Sequence, residues 1–152
     1  MAAKRNRLKT WPLWASHEYQ AALVAVRRLR MDSQEGLWRI RNGNSGKITR
    51  LLRRLPQYAR DANLAGLTAL ALKREHQEER WPRWALQALT ELTDGSSSAI
   101  YQAEAAGSAA RRRDWAEVER LLGNCLAVAQ TVELLLLTGP PPDGVEVSKL
   151  EF

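Results

Sequence analysis

Apolar residues recur at three- and four-residue spacing along most of this chain, the pattern of helices that each bury one stripe. Tyr19, Ala22, Leu23, Val26 and Leu29 form the first stripe. It predicts a helix capped by Ser16 and running to about Arg30. Ile48, Leu51, Leu52, Leu55, Tyr58 and Ala59 form the second, with Ser45 as its expected cap. Pro56 lies inside that run. It has no N–H to offer the Leu52 carbonyl and its ring crowds that carbonyl, so a kink or a fresh helix is expected there. Asn63 and Gly66 suggest a further break. Around it Leu64, Leu67, Leu70, Ala71 and Leu72 predict the most apolar helix, at the centre of the bundle. Trp81-Pro82 opens the next helix, which carries Trp84, Leu86, Leu89 and Leu92 and is expected to end near Asp94-Gly95. Ser96 to Ser98 read as a loop before a helix with Ile100, Tyr101, Ala103, Ala106 and Ala110. Asp114 and Glu117 have capping-box spacing and start the last helix, which buries Val118, Leu121, Leu122, Cys125, Val128 and Val132. Gly139 and Pro140-Pro141-Pro142 stop it.

Leucine and alanine dominate the apolar residues, and both favour helix over strand. The fold class read from the 152 residues is therefore all-α: a compact bundle of about five to six helices with a kinked helix near Pro56. Residues 1–13 are expected to form a basic N-terminal arm, 14–139 a single bundle domain and 140–152 a proline-rich flexible tail. Residues 31–46 show the weakest periodicity. Gly46-Lys47 within them invites a phosphate-loop reading, but Arg41 stands where the first glycine belongs and Ile48 where Ser or Thr belongs, so it is rejected. Residues 99–130 have the form of an αα-hairpin, a single unit that makes no repeat array.

Charge changes the picture more than composition does. Residues 1–60 hold 14 Lys+Arg against 3 Asp+Glu, and residues 61–152 hold 9 against 14. From Gly36 to Arg60 there is no acid at all. On the helix around Pro56, Lys47, Arg50, Arg53, Arg54 and Arg60 fall opposite the apolar stripe. A face of one sign without acids is what a polyanion partner would require, and arginine's planar fork suits phosphate. Lys4, Arg5 and Arg7 of the arm, and Arg27 and Arg28 of the first helix, extend the candidate nucleic-acid-binding set. The basic run Arg111-Arg112-Arg113 reads as a match to the dipole at a helix end.

Catalytic chemistry finds little support. Asp61, Glu75 and His76 are available, but no pairing assigns them roles. The two histidines and single cysteine make no zinc-ligand pattern, and neither a metal nor a cofactor is expected. Cys125 sits in an apolar run and reads as a core residue. The most hydrophobic late run, Val132 to Leu137 with Glu133 inside it, is far short of the ~20 residues that span a bilayer. A soluble, cytoplasmic protein without membrane contact is expected. Six tryptophans read as staples at helix ends, with exposed stacking platforms as the other option.

Leu55-Pro56, then Gly66-Leu67 and Leu70-Ala71-Leu72, preceded by Trp14-Ala15 and Ala21-Ala22-Leu23-Val24, resemble the small helical subunit of CRISPR effector complexes, especially the type III-B kind or a relative from another CRISPR type. The resemblance covers about residues 14–72. The second half departs from it, ending in an apolar helix and a proline-rich tail where the family has an aromatic-rich basic helix. The resemblance implies a non-catalytic bundle that stacks along an effector filament. Its implied partners are guide RNA or target nucleic acid, the backbone subunits and, by self-association, further copies of itself.

Two functions follow from these residues. One is a nucleic-acid-binding subunit of a ribonucleoprotein that neutralises phosphates without reading bases. The other is a helical adaptor, of phage or mobile-element type, that uses the same arginines to bind an acidic protein. A helix-turn-helix reader is disfavoured, because Pro56 and the apolar segment after it make a poor recognition helix.

Overall fold

The computed structural model describes residues 6–151, with Asn6 described by its backbone only. Four long helices make up the fold: α1 (Ser16–Arg41), α2 (Thr49–Glu75), α3 (Arg83–Arg111) and α4 (Trp115–Leu136). Two short extended pieces, β1 (Asn6–Arg7) and β2 (Glu79–Arg80), pair in parallel. Cross-helix contacts fix the directions. Arg30 meets Glu133 and Arg41 meets Glu119, so α1 and α4 are antiparallel. Arg28 lies over Tyr58 while Arg54 reaches back to Asp32, which sets α2 against α1. Asn63 meets Ser96 while Arg60 meets Glu104, which sets α3 against α2. Gly95 faces Val128 while Cys125 faces Ala99, which sets α4 against α3. Each helix packs on the next and α4 closes on α1, giving an up-down-up-down bundle.

The all-α class holds, but the described helices are four and not five to six. The expected breaks at Gly66 and the serine run fail for physical reasons, as does the early end expected for α1. Pro56 lies inside α2, which runs unbroken past it. Gly66 is a contact point: a Cβ there would sit 2.8 Å from Thr93 Oγ1 and 3.4 Å from the Thr93 backbone. The serine run is helical because Ser96 is buried with its hydroxyl returned to the Leu92 carbonyl of the same helix. Helix α1 continues to Arg41 because its stripe persists in small residues, Ser33 and Gly36, and then Leu37. Gly36 faces Leu122 and Ile48. Neither Ser16 nor Ser45 caps a helix, whereas the Asp114 carboxylate accepts the Glu117 N–H at 3.3 Å, half of the expected capping box, while the Glu117 carboxylate turns to Arg120.

The second half of α2 faces the other way from the expected one. Its buried residues are Ala62, Ala65, Gly66 and Ala69, while Leu64 and Leu67 are 64% and 51% exposed. Small side chains let α2 and α3 approach closely, and the leucines are turned outward with Ala71.

The end of the bundle formed by the α1 N-terminus and the α2–α3 connection is sealed by aromatics. Trp11 packs edge-on to Tyr19 and against Trp81, and Trp14 stacks on His76 at 4.4 Å. Trp84 lies over Gly139, where no Cβ would fit. Residues 140–151 lie against this end and the α1–α2 groove rather than projecting as a flexible tail: Pro142 and Val145 are buried and Leu150 packs on the core. Among the described residues no helix is long and apolar enough to cross a membrane.

Cys125 is a core residue, and burial pushes its thiol up to about 12 from 9.0. The native protein is therefore expected to react with a thiol reagent at pH 8 far more slowly than the urea-unfolded chain. The proton is held in the fold and released from the open chain. Its stabilising contribution is complete below pH 9.0 and disappears as the pH rises towards about 12. Equilibrium unfolding of native protein and of Cys125→Ala across that window checks the sign, since the slope should flatten in the variant.

Candidate nucleic-acid interface

Antiparallel packing brings two distant parts of the sequence to one end of the bundle: the α1–α2 connection and the α3–α4 turn. Arg39 and Arg41 close α1, Lys47 ends the connection before α2, Arg50 and Arg53 open α2, Arg111 closes α3, Arg112 and Arg113 form the turn, and Arg120 lies in the first turns of α4. Residues 36–53 and 107–120 together carry nine Lys+Arg and three Asp+Glu, a balance equal to the whole chain's +6. Glu35 holds Arg39 at 2.8 Å, Glu119 holds Arg41 at 2.8 Å, and Glu117 holds Arg120. Lys47, Arg50, Arg53, Arg112 and Arg113 make no ion pair among the described residues, and Arg111 bonds only the Ser108 hydroxyl, at 3.1 Å. Neither an acidic residue in the first turn nor a side-chain cap screens the N–H groups that open α2, so the helix dipole adds to the positive field there. Arg113 has φ 57°, the left-handed turn that reverses the chain tightly and leaves three consecutive arginines at the tip.

A cleft of about 580 Å³ opens between α2 and α3 at this pole. Leu52, Pro56, Ala103, Ala110 and Trp115 contribute apolar surface to it, and Arg53, Arg111, Thr49, Ser108 and Glu104 its polar groups. At the end of α1 stands Trp38, 55% exposed, while the other five tryptophans are buried or half-buried. The staple reading therefore fits those five, and Trp38 is free to stack.

The set expected from sequence is not one face. Lys47, Arg50 and Arg53 are at the pole. Arg54 and Arg60 are exposed but engaged by acids from neighbouring helices, Asp32 at 3.1 Å and Glu104. Burial raises the Asp32 carboxyl while Arg54 draws it down, and burial prevails. Arg28 lies over the Tyr58 ring at 6.0 Å and Arg27 faces Glu133 at 4.0 Å. Both sit over ten residues before Arg41, roughly 20 Å along α1 at 1.5 Å per residue. Arg7 is at the opposite end, beside Arg80, and Lys4 and Arg5 lie outside the described residues. Sequence reasoning misses Arg112 and Arg113 as part of this surface, because the helix dipole already accounts for them. The signal that could find them is the antiparallel order itself, which returns the α3–α4 turn to the α1–α2 loop.

No other constellation among the described residues competes with the pole. Asp61 and Glu75 are both exposed on α2 and about 21 Å apart along its axis, and His76 stacks on Trp14. No group of three or more potential metal-ligating His, Cys, Asp or Glu occurs among the described residues. Comparison with protein-family models, curated proteins and solved structures finds no match for this chain.

Proposed function

We propose that the chain is a non-catalytic helical subunit of a ribonucleoprotein that binds nucleic acid through the basic pole. The observation that carries this reading is the group of five cations, Lys47, Arg50, Arg53, Arg112 and Arg113, left without ion pairs among the described residues on one end of the bundle. Like charges gathered on one surface repel, so they destabilise the fold unless a polyanion offsets them. Phosphates supply that offset, and Trp38 at the edge supplies a face on which a base can stack. The mechanism is charge neutralisation with release of counterions. The resemblance of residues 14–72 to CRISPR small subunits supports an effector complex in which guide RNA or target strand meets the pole. The outward stripe Leu64, Leu67 and Ala71 would then face a backbone subunit or a further copy.

That stripe also favours the second reading, an adaptor for an acidic protein, because exposed leucines at helical spacing suit a protein surface. Two measurements separate them. Affinity for single-stranded RNA and DNA should fall about 0.7 log units per phosphate contacted for each tenfold rise in salt, and a flat response rejects the nucleic-acid reading. A pull-down from the native host should lose its partners after nuclease treatment, whereas partners that survive nuclease favour the adaptor.

A further inference from the structure

We propose that the cleft between α2 and α3 holds one unstacked base of a bound single strand, with Arg53 and Arg111 on the flanking phosphates. This rests on the nucleic-acid reading and adds a subsite to it. The cleft is of ordinary ligand-pocket size, about 580 Å³. Its apolar side joins the Pro56 ring, Leu52, Ala103 and Ala110 to the Trp115 indole, a surface suited to a flat aromatic guest. Pro56 has no N–H, so the Leu52 carbonyl lacks its i+4 donor within α2. Both residues line the cleft, and in this proposal the freed carbonyl accepts from the exocyclic amine of the base. Arg53 stands on the α2 wall and Arg111 on the α3 wall, with the Thr49 and Ser108 hydroxyls beside them. Glu104 also lines the cleft, and its carboxylate is held by Arg60.

Gly107 is the clearest sign of reserved space. It lies inside α3, where glycine weakens a helix relative to alanine. A Cβ there would meet nothing within 4 Å, so close helix packing does not explain it. Gly107 lines the cleft, and a side chain added there would have open space around its Cβ. A paired base in a duplex is stacked on both faces and cannot enter, so the cleft selects single strands.

The experiment is fluorescence anisotropy with a mixed-sequence single-stranded 12-mer, the same strand annealed to its complement, and an abasic strand of equal length. Wild-type protein should bind the single strand about tenfold or more tightly than the abasic strand, the scale of one stacked base. Gly107→Leu fills the cleft and leaves every arginine in place. It should lower affinity for the normal strand to the abasic level, keep the salt dependence, and melt no lower than wild type. Pro56→Ala restores the donor to Leu52 without opening the core. It should narrow the preference for adenine- and cytosine-containing strands over uridine strands. Wild-type affinity from Gly107→Leu, or equal loss on normal and abasic strands, overturns the cleft alone. Absence of salt-dependent binding to any strand by wild type overturns the cleft and the nucleic-acid reading together.

Discussion

Exchange of Lys47, Arg50, Arg53 and Arg112 for glutamine is expected to lower the slope of log affinity against log salt by about 2.8 on single strands, about 0.7 for each phosphate that is no longer neutralised. The companion variant, Arg54→Gln with Arg60→Gln, should leave the slope nearly unchanged, because those guanidiniums are directed at Asp32 and Glu104. Loss of the exposed Arg60–Glu104 pair should cost within about 1 kcal/mol, whereas Arg54→Gln leaves the half-buried Asp32 carboxyl without its partner and should lower the melting temperature further. Thermal melting separates the two variants in a second way. Removing four of the unpaired cations relieves repulsion at the pole, so the first variant should melt higher than wild type at low salt, with the gain shrinking as salt screens the repulsion. The signature of a functional charge cluster is lower affinity combined with higher stability. Equal slopes in both variants would spread the phosphates along α2 as a whole and remove the pole from the proposal.

The contrast between these two sets of arginines also shows where sequence reasoning stops. Helix periodicity identifies the large buried residues from Tyr19 to Leu29 of α1, those of the first half of α2 and most of those of α4, because leucine, valine and tyrosine carry the stripe there. It fails where small residues do. Ser33, Gly36, Ala62, Ala65, Gly66 and Ser96 are all buried, yet each resembles a breaker or a filler in one dimension. Periodicity therefore ends helices early and turns Leu64 and Leu67 inward, while Leu70 does pack on the core. Which face of an alanine–leucine helix turns inward is set by how near the neighbouring helix comes. The basic face fails in the same way. The run from Gly36 to Arg60 lacks acids, but Asp32 and Glu104 reach it from α1 and α3. Its partners in charge, Arg112 and Arg113, arrive from the α3–α4 turn. Net charge is legible in the sequence, and its place on the surface requires the fold.

Gly66→Leu is expected to destabilise the bundle by about 3 kcal/mol, at the upper end of what overpacking costs, and to lower the melting temperature by about 6–12 °C for a chain of this size. A Cβ at Gly66 would stand 2.8 Å from Thr93 Oγ1, 3.3 Å from Leu92 Cγ and 3.4 Å from Thr93 Cα. The Thr93 hydroxyl is already committed to the Leu89 carbonyl at 2.8 Å, and a backbone atom cannot step aside. The added chain must push α2 and α3 apart along the seam of Ala62, Ala65 and Ala69. Gly107→Ala should do the opposite and stabilise by about 0.5–1 kcal/mol, since it gains helix propensity in open space. The two glycines sit at opposite ends of the same seam. It is closed at Gly66, where the backbones nearly touch, and open at Pro56 and Gly107, where the cleft lies. Urea unfolding of both variants tests that geometry. If Gly66→Leu is tolerated at less than about 1 kcal/mol, below the usual cost of overpacking, α2 and α3 are free to slide, and a cleft held open for a base by their divergence would not be preformed. A large penalty at Gly66 with a gain at Gly107 means that the closed end fixes the width of the open end, so the basic pole would meet its ligand with little reorganisation.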